Sequence, residues 1–138
     1  MGSRATGGKS MSTEDAQISL RPAAPTFEEG RVFARLVDQA QEGYFRAMLG
    51  RRAGDVIARA FTRPGHDLSH EYVTFAEQGG QTVGMASGYT AEDHRHFTDE
   101  PLRSAAGRRR LRMAAFTRLT RRIVRFIDTV PDGDFYVR

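Results

Sequence analysis

His70–Thr90 reads HEYVTFAEQGGQTVGMASGYT, and the spacing of its apolar residues decides the fold class. Val73 and Phe75 alternate with Tyr72, Thr74 and Ala76, the period of a strand with one buried face. Gly79 and Gly80 interrupt the run with a tight hairpin turn. Val83, Met85 and Ser87 then resume the alternation on a return strand. Gly84 and Gly88 in that strand mark close backbone approach. The segment is an antiparallel hairpin, so the fold contains a sheet.

Helices flank it on both sides. Upstream, Ile18 and Leu20 in ISLRPA alternate with Ser19 and Arg21, which predicts a short half-buried strand ended by Pro22. Thr26 with Glu29 three residues on is a capping box. Val32, Phe33, Leu36, Val37 and Ala40 then share one helical face as far as about Gln41. YFRAML, residues 44–49, adds a turn before Gly50. A second helix is predicted over Gly54–Phe61, ended by Pro64 and Gly65. Downstream, TAEDHRHFTDEP reads as a polar loop. From Pro101 to Val130 the pattern is helical and is divided or restarted at Gly107. Phe116, Leu119, Ile123, Phe126, Ile127 and Val130 form its stripe, with Arg118, Arg121, Arg122 and Arg125 opposite. The last words, PDGDFYVR, are a turn followed by the start of a strand.

At 138 residues, with 39% hydrophobic and 28% charged residues, the chain has the length and composition of one globular domain. The lack of cysteine excludes disulfides and cysteine-ligated metal. No apolar run approaches the roughly 20 residues that cross a bilayer. Residues 1–17 are rich in Gly, Ser and Thr without the apolar centre of a signal peptide. They read as tag or disordered sequence, with Met11 as the native start and the cytoplasm as the expected compartment. The net charge of +4 invites a nucleic-acid reading, but all except one of the 21 basic residues are arginine, a bias typical of a GC-rich genome.

In order and wording the chain resembles the N-terminal half of the GNAT superfamily of N-acetyltransferases. ISLRPA resembles the family's first strand and TFEEGRVFARLVDQA its first helix. YVTFAEQGGQTVGMASGYT resembles its second and third strands, and DGDFYVR the opening of its fourth. The helix from Gly107 to Val130 is then an insertion between strands three and four. The resemblance covers about Ile18–Arg138 and implies an α/β fold, a mixed and mostly antiparallel sheet with flanking helices. It implies acetyl transfer from acetyl-coenzyme A to a small-molecule or protein amine. The family's Arg/Gln-x-x-Gly-x-Gly/Ala loop, whose amides hold the pyrophosphate, has no counterpart here. The expectation is therefore a domain truncated at its fourth strand, alone inactive, and completed by a C-terminal half or a second copy.

On that resemblance Glu42, Tyr44, Tyr89 and Tyr136 are expected to line the acceptor pocket. Glu42 would attract an ammonium and the tyrosines would stack or hydrogen-bond. Tyr136, Val137 and Arg138 are expected along the acyl donor, and no residue qualifies as the catalytic base. His66, His70, His94 and His96 read as solvated loop histidines, because Pro64 and Gly65 deny the first pair a helix. The arginines of GRRRLR, residues 107–112, and the helix after it read first as a solvated face. The competing function is a basic module that binds nucleic acid or an acidic protein through that helix. A degenerate, scaffold-only domain is the third reading.

Overall fold

The computed structural model describes residues 17–127 and 135–137. In chain order the elements are β1 (Ser19–Pro22), α1 (Phe27–Ala40), α2 (Tyr44–Leu49), α3 (Ala53–Phe61), β2 (Val73–Gln78), β3 (Gln81–Thr90), α4 (Ala91–His96), α5 (Glu100–Ala106), α6 (Arg110–Ile127) and β4 (Phe135–Val137). Single 3-10 turns occupy Gly50–Arg52, His70–Tyr72 and Gly107–Arg109. The sheet order is β1-β2-β3-β4 with every pair antiparallel.

The central hairpin forms as its sequence requires. Gly79 and Gly80 have φ of 57° and 74°, the left-handed pair that matches a two-residue turn to strand twist. The register pairs Val73 with Ser87 and Phe75 with Met85, so these four share one face. Val73, Phe75 and Ser87 are buried there. Thr74 and Ala86, on the opposite face, are exposed. All the core helices therefore lie to one side. Phe33 and Val37 of α1, Leu49 of α2 and Ile57 and Phe61 of α3 form the core with Leu68, Val73 and Phe75. The Phe33 and Phe61 rings meet at 5.1 Å. Gly30 permits this packing: a Cβ there would lie 2.6 Å from the Ala58 carbonyl oxygen on α3.

At the other end, β4 pairs with β3 through Gly88–Val137, Tyr89–Tyr136 and Thr90–Phe135. The strand expected from DFYVR is thus present over Phe135–Val137, while the expected turn at Pro131–Asp134 and Arg138 lie outside the described residues. Residues 1–16, read as tag or disordered sequence, also lie outside them.

Several expectations are corrected. Ile18 and Leu20 are not half-buried but 58% and 73% exposed. The register places Leu20 opposite Ala76 on the open face and turns Arg21, opposite Phe75, inward. Arg21 fills that position as an ion: it bridges Glu29 and Glu77 at 2.8 Å each and lies 5.5 Å from the Phe75 ring centre. The hydrogen bond it donates to Glu29, then the one it donates to Glu77, raises its pKa. Only half of the capping box forms. Thr26 Oγ1 accepts from Glu29 N, but the Glu29 carboxylate accepts from Ala24 N instead of Thr26 N.

TAEDHRHFTDEP is largely helical rather than a loop. Thr90 and Asp93 make the reciprocal capping box that starts α4, and α5 begins at Glu100. The division at Gly107 holds, with φ of 55°. The expected stripe of α6 is only partly inward. Met113 is buried and Phe116 meets Tyr44 at 5.3 Å, whereas Leu119 is 84% exposed. α6 touches the body through its first turns, where Arg109 and Arg112 donate to the Leu49 and Ala47 carbonyls of α2. For Ile123, Phe126 and Ile127 the structure describes backbone alone, and Val130 lies outside the described residues.

Candidate functional site

β3 carries its alternation to Tyr89, which the inner face buries to 4% exposure. The strand then passes directly into α4, because Thr90 is both the last strand residue and the helix cap. Thr90 Oγ1 donates to Asp93 Oδ2 and accepts from Asp93 N. This abrupt turn folds His94 and Phe97 back over Tyr89. The His94 ring stacks on Tyr89 at 5.9 Å and 12°, and Phe97 meets it edge-on at 4.9 Å. Tyr72, just before β2, closes the group at 5.9 Å from Tyr89 and 5.2 Å from Phe97.

Four aromatic rings thus converge at one end of the β2–β3 pair, and β4 brings Tyr136 opposite Tyr89 in the backbone register. The cluster has an acidic side. Burial, followed by the charges of Asp93 and Glu71, raises the pKa of the Tyr72 phenol. Two residues before Tyr89, Ser87 is 1% exposed, and its hydroxyl has no hydrogen-bond partner among the described residues. A buried hydroxyl without a partner is uncommon and destabilising, and it occurs most often where a ligand or water is accommodated. Electron-rich ring faces and nearby carboxylates are suited to a cation or a protonated amine.

The four expected acceptor residues do not all meet. Tyr89 and Tyr136 are cross-strand neighbours. Glu42 and Tyr44 sit at the turn between α1 and α2 instead. Glu42 is exposed with φ of 51°, and Tyr44 is wedged between Phe45 and Phe116 at 5.4 and 5.3 Å. Tyr44 has a packing role there. Of the expected donor-side residues, Tyr136 and Val137 lie in β4 and Arg138 lies outside the described residues.

Sequence reasoning missed Tyr72, Ser87, His94 and Phe97. The signal for His94 and Phe97 was the Thr-x-x-Asp cap at Thr90, which makes the segment a helix rather than a loop. Nothing in the spacing tied Tyr72 to them.

Of the four histidines, His96 is exposed as expected, though on α4 rather than in a loop, and the other three are buried or half-buried. His66 is 2% exposed, with Nε2 within 2.8 Å of the Ala60 carbonyl and 3.0 Å of that of Arg63, while Leu68 N donates to Nδ1. That pattern places the ring proton on Nε2. His70 Nδ1 donates to the Phe61 carbonyl. Both rings cap the end of α3, which Pro64 prevents from continuing. Among the described residues no three His, Asp or Glu side chains converge as metal ligands, and no helix is long and apolar enough to cross a membrane.

Neither a protein-family model nor a curated protein matches the chain. Among solved structures, one described as the crystal structure of acetyltransferase is similar to it at 30% sequence identity and a TM-score of 0.52. The similarity covers 63% of this chain and 47% of the other. The chain therefore has an acetyltransferase-like fold and spans about half the length of that protein.

Proposed function

We propose that these residues form the acceptor side of a GNAT-type N-acetyltransferase that uses acetyl-coenzyme A. The observation that carries the proposal is the similarity to an acetyltransferase at 30% identity, together with a fourth strand paired to β3 where that resemblance required one. The reaction joins an amine nitrogen to the acetyl carbon and breaks the carbon–sulfur bond; of the two protons that the ammonium loses, one leaves to solvent before attack and the other passes to the departing thiolate.

The residues present fit the donor in part. β4 has one partner strand, β3, among the described residues, and its other edge offers backbone N–H groups to a thioester oxygen. The pyrophosphate finds no glycine-rich amide loop in the sequence. In this reading Phe135–Val137 align the acyl end, and the pyrophosphate is held by residues outside these 138.

The acceptor is an amine that arrives protonated. Tyr89, Tyr72 and His94 give it aromatic walls, Asp93 and Glu71 give it opposite charge, and Ser87 offers a free hydroxyl. Glu42 and Tyr44, at the α1–α2 turn, have no part in this reading.

Titration of acetyl-coenzyme A into the 15N-labelled chain tests this. The expected result is saturable binding weaker than about 1 mM, with amide shifts concentrated at Phe135–Arg138 and Gly88–Thr90. Micromolar binding, or shifts that leave β4 unmoved, overturns the proposal.

A further inference from the structure

The sequence contains the tripeptide Gly-Arg-Arg at 50–52 and again at 107–109, and in both places it forms a 3-10 turn between two helices. The fold brings the two turns together. Arg109 and Arg112 donate to the carbonyls of Leu49 and Ala47, so their guanidiniums lie against Gly50. Gly50 has φ of 76°, and a Cβ there would be 2.9 Å from Arg109 Nη1, so a side chain would displace them. Gly50 also borders a groove of about 560 Å³ between α1 and the α2–α3 turn. Arg31, Arg35, Arg46 and Arg51 line that groove.

Six guanidiniums therefore face one side of the molecule. Two are neutralised locally, Arg46 by Asp38 and Arg31 by Asp55. Arg35 and Arg51 are exposed and make no ion pair or hydrogen bond among the described residues. Asp38 also lines the groove, so the unneutralised charge is that of Arg35 and Arg51 beside Arg109 and Arg112; these like charges repel one another, and an anion that spans them relieves the repulsion.

We propose that this groove and its rim bind the phosphate backbone of duplex nucleic acid, without sequence preference. The site is separate from the aromatic cluster and independent of the acyl-transfer reading. It also differs from the helix face considered in the sequence, because α1, α2 and the Gly50–Arg52 turn supply four of its six arginines. Three features favour phosphates over an acidic protein surface. Guanidinium forks match phosphate oxygens in pairs. The apolar part of the lining is Val32, Ala34, Ala53 and Ile57, without the aromatic anchors on which protein interfaces depend. With no aromatic ring in the lining there is no platform for unstacked bases, which argues for a duplex rather than a single strand.

Anisotropy of a fluorescein-labelled DNA duplex of about 20 base pairs, titrated with the full chain at several salt concentrations, tests the assignment. Binding is expected, with an affinity that falls steeply as salt rises. The double variant Arg35→Glu/Arg51→Glu is expected to weaken binding at least about tenfold and to reduce the salt slope by about 2. Neither side chain makes an ion pair or hydrogen bond among the described residues, so the fold is not at risk. Arg59→Glu/Arg118→Glu makes the same charge change outside the groove and is expected to reduce affinity by less than about threefold. No binding at low salt, equal losses in the two double variants, or equally tight binding of polyglutamate each overturns the proposal. So does displacement of the duplex by inorganic tripolyphosphate at equal phosphate concentration, which would assign the groove to a small ligand.

Discussion

Gly30 shows how far one hydrogen atom determines this core. α1 and α3 approach so closely that a Cβ would sit 2.6 Å from the Ala58 carbonyl oxygen and 2.8 Å from its Cα, both backbone atoms that cannot rotate away. Overpacking of that kind costs about 1–3 kcal/mol, while the better helix propensity of alanine returns at most about 1 kcal/mol. Gly30→Ala should therefore lower the stability read from urea unfolding by a net of up to about 2 kcal/mol, on the order expected for a strained core substitution. Gly54→Ala, where the added methyl meets open space, should leave the midpoint unchanged or raise it. Equal effects at the two sites would show that the α1–α3 contact is looser than described. Tyr72 makes a second point at this scale. Burial, with Asp93 and Glu71 nearby, holds its phenol protonated above the usual pKa of 10.0. The native state thus binds this proton more tightly than the unfolded chain. Its contribution to stability is complete below about pH 10 and is lost as the pH climbs through the raised value. A titration followed at the tyrosinate absorbance should show one late component that disappears in Tyr72→Phe. In that variant the decline of stability above pH 10 should also be shallower.

At the scale of elements, α4 decides whether the aromatic cluster exists. Thr90→Val keeps the shape of the cap and removes both hydrogen bonds between the hydroxyl and Asp93. The loss should be about 1 kcal/mol, with hydrogen exchange accelerated at Asp93 and His94 and unchanged in the β2–β3 hairpin. Uniform acceleration would instead mean that α4 is not a separate folding unit. The same element marks where sequence reading succeeded and where it stopped. The hairpin was legible because Gly79-Gly80 lies between two alternating runs, and period and turn chemistry agree. α3 was legible from Val56, Ile57, Ala60 and Phe61. α4 was not, since AEDHRH has no apolar stripe and its helix rests on one cap and one buried alanine. β1 was misread in its faces because alternation does not say which side is inward, and a paired arginine outcompeted Ile18 and Leu20 for the buried side. Within the site, Tyr89 was expected on the family resemblance and not from its spacing. Tyr72, His94 and Phe97 converge only through tertiary contacts that no local spacing encodes.

For the molecule as a whole, the governing asymmetry is that the core helices stand on one face of the sheet. On the other face Leu20, Thr74, Ala76, Gly84 and Ala86 form a shallow surface of mostly small residues. Among the described residues no side chain on that face is fully buried. A flat, weakly charged sheet face and a terminal strand with one partner both favour association, since pairing hides apolar area and satisfies the edge. Covering Leu20 alone would contribute about 1.5–3 kcal/mol. The purified 138-residue chain should therefore sediment with a mass that rises with concentration and should bind a hydrophobic dye. Leu20→Lys combined with Ala86→Lys should restore a monomer, because a second copy would then have to bury like charges that cannot pair with one another. Leu111 and Leu119, at 83% and 84% exposure on α6, provide the comparison. If Leu111→Lys with Leu119→Lys dissociates the assembly and the sheet-face variant does not, α6 is the sticky surface. A chain that stays monomeric at every concentration and melts in one sharp transition would show that the open face needs no cover. In that case the arginine surface, with its net repulsion between copies, would be the stronger influence on how the molecules meet.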